Sequence, residues 1–390
     1  MEQAMNATVL RQTSRRRVLR CVYNRAEPVT EREIAGELSL EPATVADGLT
    51  ELMEAGLVFR SGEGYALEAR ARVAVGITIQ WGEARLLAID MRAGELGYRE
   101  MKMTFAHTPE YYEGLARELE KFLDDFHLER GRLLGVGITL PGIIDQSAGK
   151  LVMAPTLELW DVPLEEIYRY FSRYPVFIEN DANASGYAEW WTEKGRSNMV
   201  YLSLERGVGG AIFWGDEQYT GDHGRSGEFG HLCVVPNGIP CYCGRRGCLG
   251  AYSSGRAVVA RCAEALERGE APGLAALGGA ERLAMAEILE AQAAGDAAVK
   301  GIVERAVYML GVAAANIINF ACPSMMLIEG KLFQLPGNRE LLLKTVRRNL
   351  CNVVRSDTEF VFAAPDSLSG ARGAAAMAIC KDLETYNQTS

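Results

Sequence analysis

Three cysteines, Cys241, Cys243 and Cys248, fall within eight positions, and His231 stands ten residues before the first of them. A closed structural zinc site takes four nitrogen or sulfur ligands in a tetrahedron, with thiolates that the metal itself deprotonates. One imidazole and three thiolates supply such a set, and Gly244 lets the chain fold tightly around an ion. The competing reading is three free thiols beside an unrelated histidine. The other six of the nine cysteines are scattered. That distribution fits a reducing compartment, with a metal site and buried thiols in place of a disulfide framework.

The elements that must position these residues change character near Arg72. Before it, Val18, Leu19 and Val22 recur at helical spacing, and Glu27-Pro28 ends the run. Thr30 and Glu33 form a capping box for a short helix to Leu38. Pro42 then opens a helix whose Val45, Leu49 and Leu52 make one stripe, and Gly56 closes it. Residues 58–67 predict a small hairpin. Helix, helix, turn, helix and hairpin read as a winged helix-turn-helix, or as any other small helical domain.

After Arg72, strands alternate with helices. Strands are expected at Arg72–Gln80, Arg85–Asp90, Leu96–Met103, Leu134–Thr139, Val176–Glu179, Met199–Ser203 and Ala211–Trp214. Helices are expected at Tyr111–Phe126, Leu164–Phe171, Ala182–Thr192 and about Ala297 to Phe320. A strand at Met325–Glu329 and a last helix after Gly370 follow. The scheme recurs after Met199, which predicts two related α/β halves.

With 390 residues, 48% hydrophobic and 24% charged, the chain is long enough to bury a core without covalent staples, and disorder is excluded. No uninterrupted apolar run approaches a membrane span, and the polar, arginine-rich first 17 residues do not read as a signal peptide. A cytoplasmic protein without membrane contact is expected. The net charge of −10 argues against a chain that coats nucleic acid. Its distribution is uneven: residues 1–25 carry +5 and residues 26–70 carry −7.

Gly135-Val136-Gly137-Ile138 followed by Pro141-Gly142, then Ile178-Glu179-Asn180-Asp181-Ala182-Asn183-Ala184, then Gly227-Glu228-Phe229-Gly230-His231 closely resemble the ROK family of repressors, open reading frames and sugar kinases. Cys241-Tyr242-Cys243-Gly244-Arg245-Arg246-Gly247-Cys248-Leu249 extends the match. The resemblance implies an actin-like or hexokinase-like (ribonuclease H-like) α/β body of two lobes around a cleft. A winged helix-turn-helix in front of it is the arrangement of the family's transcriptional regulators. The expected domains are 1–70, the DNA-binding unit; 71–195 plus 370–390, the first lobe; and 196–369, the second lobe with its zinc.

The resemblance also assigns roles. His231, Cys241, Cys243 and Cys248 are implied to hold one structural zinc, with His231 also facing the sugar. Asn180, Asp181, Glu228 and His231 fall on sugar-contacting positions, and Asp181 matches the base of the kinases. A bland reading has Asn180-Asp181 cap the helix at Ala182. The family's Cys-Leu-Glu ends here as Cys248-Leu249-Gly250, and the asparagine usual before the tryptophan of Trp160-type segments is replaced by Thr156 or Leu157. The effector is therefore expected to be a sugar or sugar derivative that departs from the hexose pattern.

Phosphoryl transfer needs Gly-rich turns and an acid that places magnesium. Family kinases carry Asp-x-Gly-Gly-Thr in the first hairpin, where this chain has Thr78-Ile79-Gln80-Trp81-Gly82. The second loop, usually Gly-Thr-Gly, reads Glu205-Arg206-Gly207. No catalytic residue is assigned, and an ATP-dependent sugar kinase is disfavoured. For DNA, the helix from Pro42 offers Thr44 and Asp47 to base edges, while Arg15, Arg16, Arg17, Arg60 and also Arg11 and Arg20 offer charge to phosphates. A sugar-responsive regulator, a homodimer or homotetramer on a double-stranded operator, is the leading expectation. A sensor that no longer binds DNA is the alternative.

Overall fold

The first helix of the computed structural model, α1 (14–24), buries Val18, Leu19 and Val22 completely or nearly so, which is the stripe its sequence spacing sets. The structure describes residues 14–192, 198–215, 217–351 and 357–385. Helix α2 (Glu31–Leu38) begins at the expected capping box: Glu33 N donates to Thr30 Oγ1 at 3.3 Å, and Thr30 N to Glu33 Oε2 at 2.8 Å. Helix α3 (Pro42–Glu54) buries Val45, Leu49 and Leu52, and Gly48 brings it against Val18 of α1. Strands β1 (Val58–Ser61) and β2 (Gly64–Leu67) form an antiparallel wing, to which Val29 adds a bridge at Tyr65. This is a winged helix-turn-helix.

Two units emerge along the chain, Met1–Gly195 with Leu368–Ser390 and Arg196–Ser367. In the first, β3 (Val73–Ile79), β4 (Glu83–Asp90) and β5 (Glu95–Lys102) run antiparallel to one another. Helix α4 (Pro109–Asp125) then leads into β6 (Leu133–Leu140), parallel to β3. A small sheet of β7 (Ile143–Asp145), β8 (Lys150–Ala154) and β9 (Leu159–Pro163) follows, which the sequence pattern does not disclose because its strands are short and mixed in polarity. The helix expected at Leu164–Phe171 is a single turn, α5 (Glu165–Tyr168), continued as a 3-10 turn. Strand β10 (Val176–Asn180) lies parallel to β6, and α6 (Asp181–Thr192) leaves directly from its end.

The second unit repeats the plan. Strands β11 (Met199–Ser203), β12 (Gly209–Trp214) and β13 (Glu217–Gln218) are antiparallel. Helices α7 (Gly250–Ser253), α8 (Gly255–Glu267), α9 (Pro272–Ala276), α10 (Met285–Ala293) and α11 (Ala297–Ala321) precede β14 (Met325–Glu329). Helix α12 (Pro336–Asn349) leads to β15 (Glu359–Ala363), and β14 and β15 extend the sheet in parallel. Spatial order is β10-β6-β3-β4-β5 in one sheet and β13-β12-β11-β14-β15 in the other. In chain order within each unit both read 3-2-1-4-5, so the two halves share one topology. Helix α13 (Ser369–Thr385) returns to the first unit.

Two glycines let α13 lie against the first sheet. A Cβ on Gly76 of β3 would sit 1.7 Å from the Ala371 carbonyl oxygen, and one on Gly137 of β6 would sit 2.2 Å from that of Ala374. Helix α11 is long and apolar enough to cross a membrane by length and composition, a feature hidden when only uninterrupted apolar runs are counted. Its Val299, Val303, Val307, Leu310 and Ile318 are wholly buried in the second unit's core, so it reads as a core helix.

Candidate functional site

The metal cluster is built by a turn and a 3-10 segment. Cys241 N bonds to the Arg245 carbonyl at 2.8 Å and Gly244 N to the Cys241 carbonyl at 3.0 Å, with Gly244 at φ +84° where a side chain would strain. Residues Phe229–His231 form one 3-10 turn, and Gly247 N bonds Ile239 O at 2.8 Å to bring Cys248 back beneath the loop. The ligand atoms of His231, Cys241, Cys243 and Cys248 all lie within 4.8 Å of one another. Cys243 Sγ to Cys248 Sγ is 3.7 Å, and Cys241 Sγ to His231 Nδ1 is 3.6 Å. A tetrahedron with metal–sulfur bonds of about 2.3 Å has edges of about 3.8 Å, so the set fits a metal ion. Burial, and then the Arg245 charge, hold the His231 imidazole below its ordinary value, which favours the neutral form that ligates metal.

His231 Nε2 points away from the sulfurs. It lies 3.2 Å from the Tyr242 hydroxyl, the two rings meet edge to face at 5.2 Å, and the Arg256 guanidinium sits 5.8 Å from the Tyr242 ring centre. Burial of the hydroxyl, and next the Glu228 carboxylate, push the Tyr242 phenol above its ordinary value, so it stays protonated. Tyr242 and Arg256 were not singled out from sequence. Only the position of Tyr242 between two cysteines of the cluster hints at its contact with the histidine. At Gly250 a Cβ would come within 3.2 Å of the Gly230 carbonyl oxygen, so the backbone closes in where the family carries a carboxylate.

In the first unit, Asn180 and Asp181 stand where β10 becomes α6. Asn180 Oδ1 accepts from Ala182 N at 2.9 Å and Asn183 N at 3.0 Å, and its Nδ2 donates to Gly142 O at 2.6 Å. The capping role weighed from sequence is thus real, and it fixes the side chain. Beneath it Glu179, buried, accepts from Asn180 N at 2.8 Å and Asn183 Nδ2 at 3.0 Å, and loss of water raises its carboxyl above the usual range. Asp181 Oδ1 accepts from Ala182 N at 2.9 Å. Although part of Asp181 reaches solvent, burial pushes its carboxyl up from 3.8 to about 6, against the opposing pull of its backbone hydrogen bonds. Glu179 and Asn183 are supports that sequence reasoning left aside.

The ROK family profile matches residues 77–381, most of the chain. The chain belongs to the ROK family. It is 27% identical to the xylose repressor of Caldicellulosiruptor bescii, over 84% of this chain and 85% of that one. A crystal structure of a ROK transcriptional regulator, a homologue of the Escherichia coli Mlc protein, superposes at a TM-score of 0.84 with 23% identity, over 97% of this chain and 98% of that one. The ROK hexokinase of Thermus thermophilus superposes at 0.68 with 25% identity, over 80% of this chain and 99% of that one. The kinase is used up while about a fifth of this chain has no counterpart in it.

At the positions that the resemblance assigns to phosphate binding, the structure places other side chains. Thr78 is buried and takes a 3.1 Å hydrogen bond from the Thr139 hydroxyl, so no acid stands at the end of β3. Trp81 tops the β3–β4 turn with 44% of its surface exposed. Glu205 is exposed, and its carbonyl accepts Gly255 N at 2.8 Å at the start of α8.

On the winged domain, Ala43, Asp47 and Thr50 of α3 are exposed and Thr44 is half-buried. The arginines divide. Arg15 Nη1 pairs with Glu51 of α3 at 3.1 Å with its side chain 15% exposed, and Arg17 Nη2 donates to Leu38 O at 2.6 Å. Arg16, Arg17, Arg20 and Arg60 are all exposed. Arg11 lies outside the described residues.

Proposed function

We propose that this ROK protein is a transcriptional regulator, acting as a repressor, whose winged helix-turn-helix binds a double-stranded DNA operator. A sugar or sugar derivative engaging Asn180, Asp181, Glu228 and His231 sets its occupancy. The observation that carries this reading is the winged domain itself, present in front of a ROK body that by itself accounts for the kinases. The xylose repressor relatives support it. The ligand acts by population shift, which requires that it bind one arrangement of the chain better than another. In a homodimer or homotetramer, that difference changes the spacing of two DNA-binding units against two half-sites. The protein works in the cytoplasm.

The donor set of His231, Cys241, Cys243 and Cys248 suits zinc, which when bound holds the 241–248 loop and fixes the imidazole tautomer. His231 then keeps Nδ1 on the sulfur side and presents Nε2, together with Tyr242, to the ligand. Asn180 offers its amide and Asp181 an acceptor oxygen. With Thr78, Trp81 and Glu205 at the phosphate positions, Asp181 orients a hydroxyl and does not serve phosphoryl transfer. Arg16, Arg20 and Arg60 supply phosphate contacts, and Thr44 and Asp47 read base edges.

The test is selection of genomic fragments by the full-length protein, with and without D-xylose, D-glucose and N-acetylglucosamine, alongside an ATP turnover assay on the same sugars. Enriched fragments whose binding one sugar changes, with no turnover, are expected. No fragment enriched over bulk DNA under any condition refutes the regulator reading. ATP turnover that Asp181→Asn abolishes refutes the loss of kinase activity.

A further inference from the structure

Helix α6 has two ends with different business. Its first residue is Asp181, directly after Asn180 at the end of β10, and its eleventh residue, Trp191, meets the winged domain. Trp191 is 9% exposed and stands edge-on to Tyr23 of α1, ring centres 5.0 Å apart at 64°. Tyr23 is 7% exposed, and its carbonyl accepts Arg92 Nη1 at 3.0 Å. We propose that α6 is the rod that couples the ligand residues to the DNA-binding domain, with Trp191 on Tyr23 as its joint. The inference rests on the regulator reading for its biological meaning, and names the regulation of that same site.

The physical case begins at the near end. The Asn180 side chain spends its Oδ1 on two amides of the first turn of α6 and one Nδ2 hydrogen on the Gly142 carbonyl. A ligand hydroxyl that donates to Oδ1 must share or replace those bonds, and one that accepts the second Nδ2 hydrogen pulls on the same anchored amide, so the first turn cannot stay indifferent to it. Along its length the helix cannot stretch. Ten steps of about 1.5 Å put Trp191 about 15 Å from Asp181. Nor can it bow toward α13, because a Cβ on Gly373 would lie 1.6 Å from the Ala184 carbonyl oxygen and Ser185 Oγ is 2.9 Å from Ser369 Oγ. A close-packed element with no slack moves as a body.

At the far end, contacts among the described residues tie the winged domain down after the wing and at Tyr23. Ala69 O accepts Met91 N at 3.0 Å and Arg70 O accepts Arg132 Nη1 at 3.4 Å, which fixes the link after the wing. Tyr23 is the other place. With the link fixed, displacement at Tyr23 changes the orientation of α1. Helix α3 follows, since Arg15 pairs with Glu51 and Gly48 rests on Val18. Trp191 and Tyr23 are positioning residues in this scheme. Neither is assigned to ligand or DNA.

Spatial intermediacy alone does not establish coupling, so the test measures it as a double-mutant cycle. Amide hydrogen exchange is followed in full-length, zinc-loaded protein. Asn180→Ala should loosen the first turn of α6 and also speed exchange of residues 19–24 in α1, by about 5-fold or more if coupling is of ordinary size. In a Trp191→Ala or Tyr23→Ala background the same change should leave α1 unaltered, while Trp191→Phe should restore the effect. If Asn180→Ala loosens α6 and α1 never responds, the rod is refuted. If the response survives loss of both Trp191 and Tyr23, the joint is refuted.

A second arm uses a fragment selected by the wild-type protein and D-xylose. Trp191→Ala should bring the ratio of DNA affinities with and without D-xylose toward one, with the selected fragment still bound more tightly than bulk DNA in at least one of the two conditions. An unchanged ratio overturns the inference. A wild-type protein that binds no fragment refutes the regulator reading, and the exchange arm still decides the coupling.

Discussion

Asp181→Asn should stabilise this protein at neutral pH. The Asp181 carboxyl is pushed from 3.8 to about 6 in the folded chain, with burial as the main cause. The folded state therefore holds this proton more tightly than the unfolded one. Below the unfolded value both states are protonated and the group costs nothing. Stability is lost as pH rises through about 6, and above it the folded state carries a buried charge. At roughly 1.4 kcal/mol per pKa unit, the cost at pH 7.5 is about 2–3 kcal/mol. Asparagine keeps the oxygen that accepts Ala182 N and carries no charge, so the variant sheds the cost without losing that bond. For a unit of this size, at about 2–4 °C per kcal/mol, the gain corresponds to about 4–12 °C in Tm. Thermal melts of both proteins from pH 8 to pH 5 measure it. The difference should be full above pH 7 and shrink through pH 6. A less stable variant at pH 8, or a difference that does not change with pH, would refute the argument. The physical meaning is a stability cost retained at a position proposed to bind ligand.

Cys243→Ser should lower both the zinc content by elemental analysis and the Tm, since three ligands leave the 241–248 loop unclosed. Arg16→Ala should weaken binding to all DNA sequences alike and flatten the salt slope by up to about 0.9 for its phosphate contact, read in titrations across salt. Arg15→Ala should instead lower stability in denaturant melts, because Arg15 holds α3 through Glu51. Gly137→Ala should cost about 1–3 kcal/mol or more in the same melts, since its methyl meets the Ala374 carbonyl oxygen at 2.2 Å.

Much of this protein is legible in its sequence because the signals are local. The capping box at Thr30, the stripe of α3, the strands at Met199–Ser203 and Met325–Glu329, and the glycine that turns the cysteine loop each depend on neighbours within a few residues. The same holds for the His231 and cysteine cluster that could hold a metal, since three of its four members lie on one loop. The short strands β7 to β9 escaped because their pattern carries no period. The sequence also could not apportion the arginines: Arg15, Arg16 and Arg17 read as one basic patch, and only the packing of α1 against α3 assigns Arg15 to Glu51 and leaves Arg16 outward. Chain position likewise says nothing of Tyr242 resting on His231, or of Trp191 meeting Tyr23 from 168 positions away. Residue types and spacing determined which chemistry this protein can perform. The tertiary structure decided which of those groups reach the surface and which are tied to distant parts of the chain, because burial and contact depend on residues that the local sequence does not see.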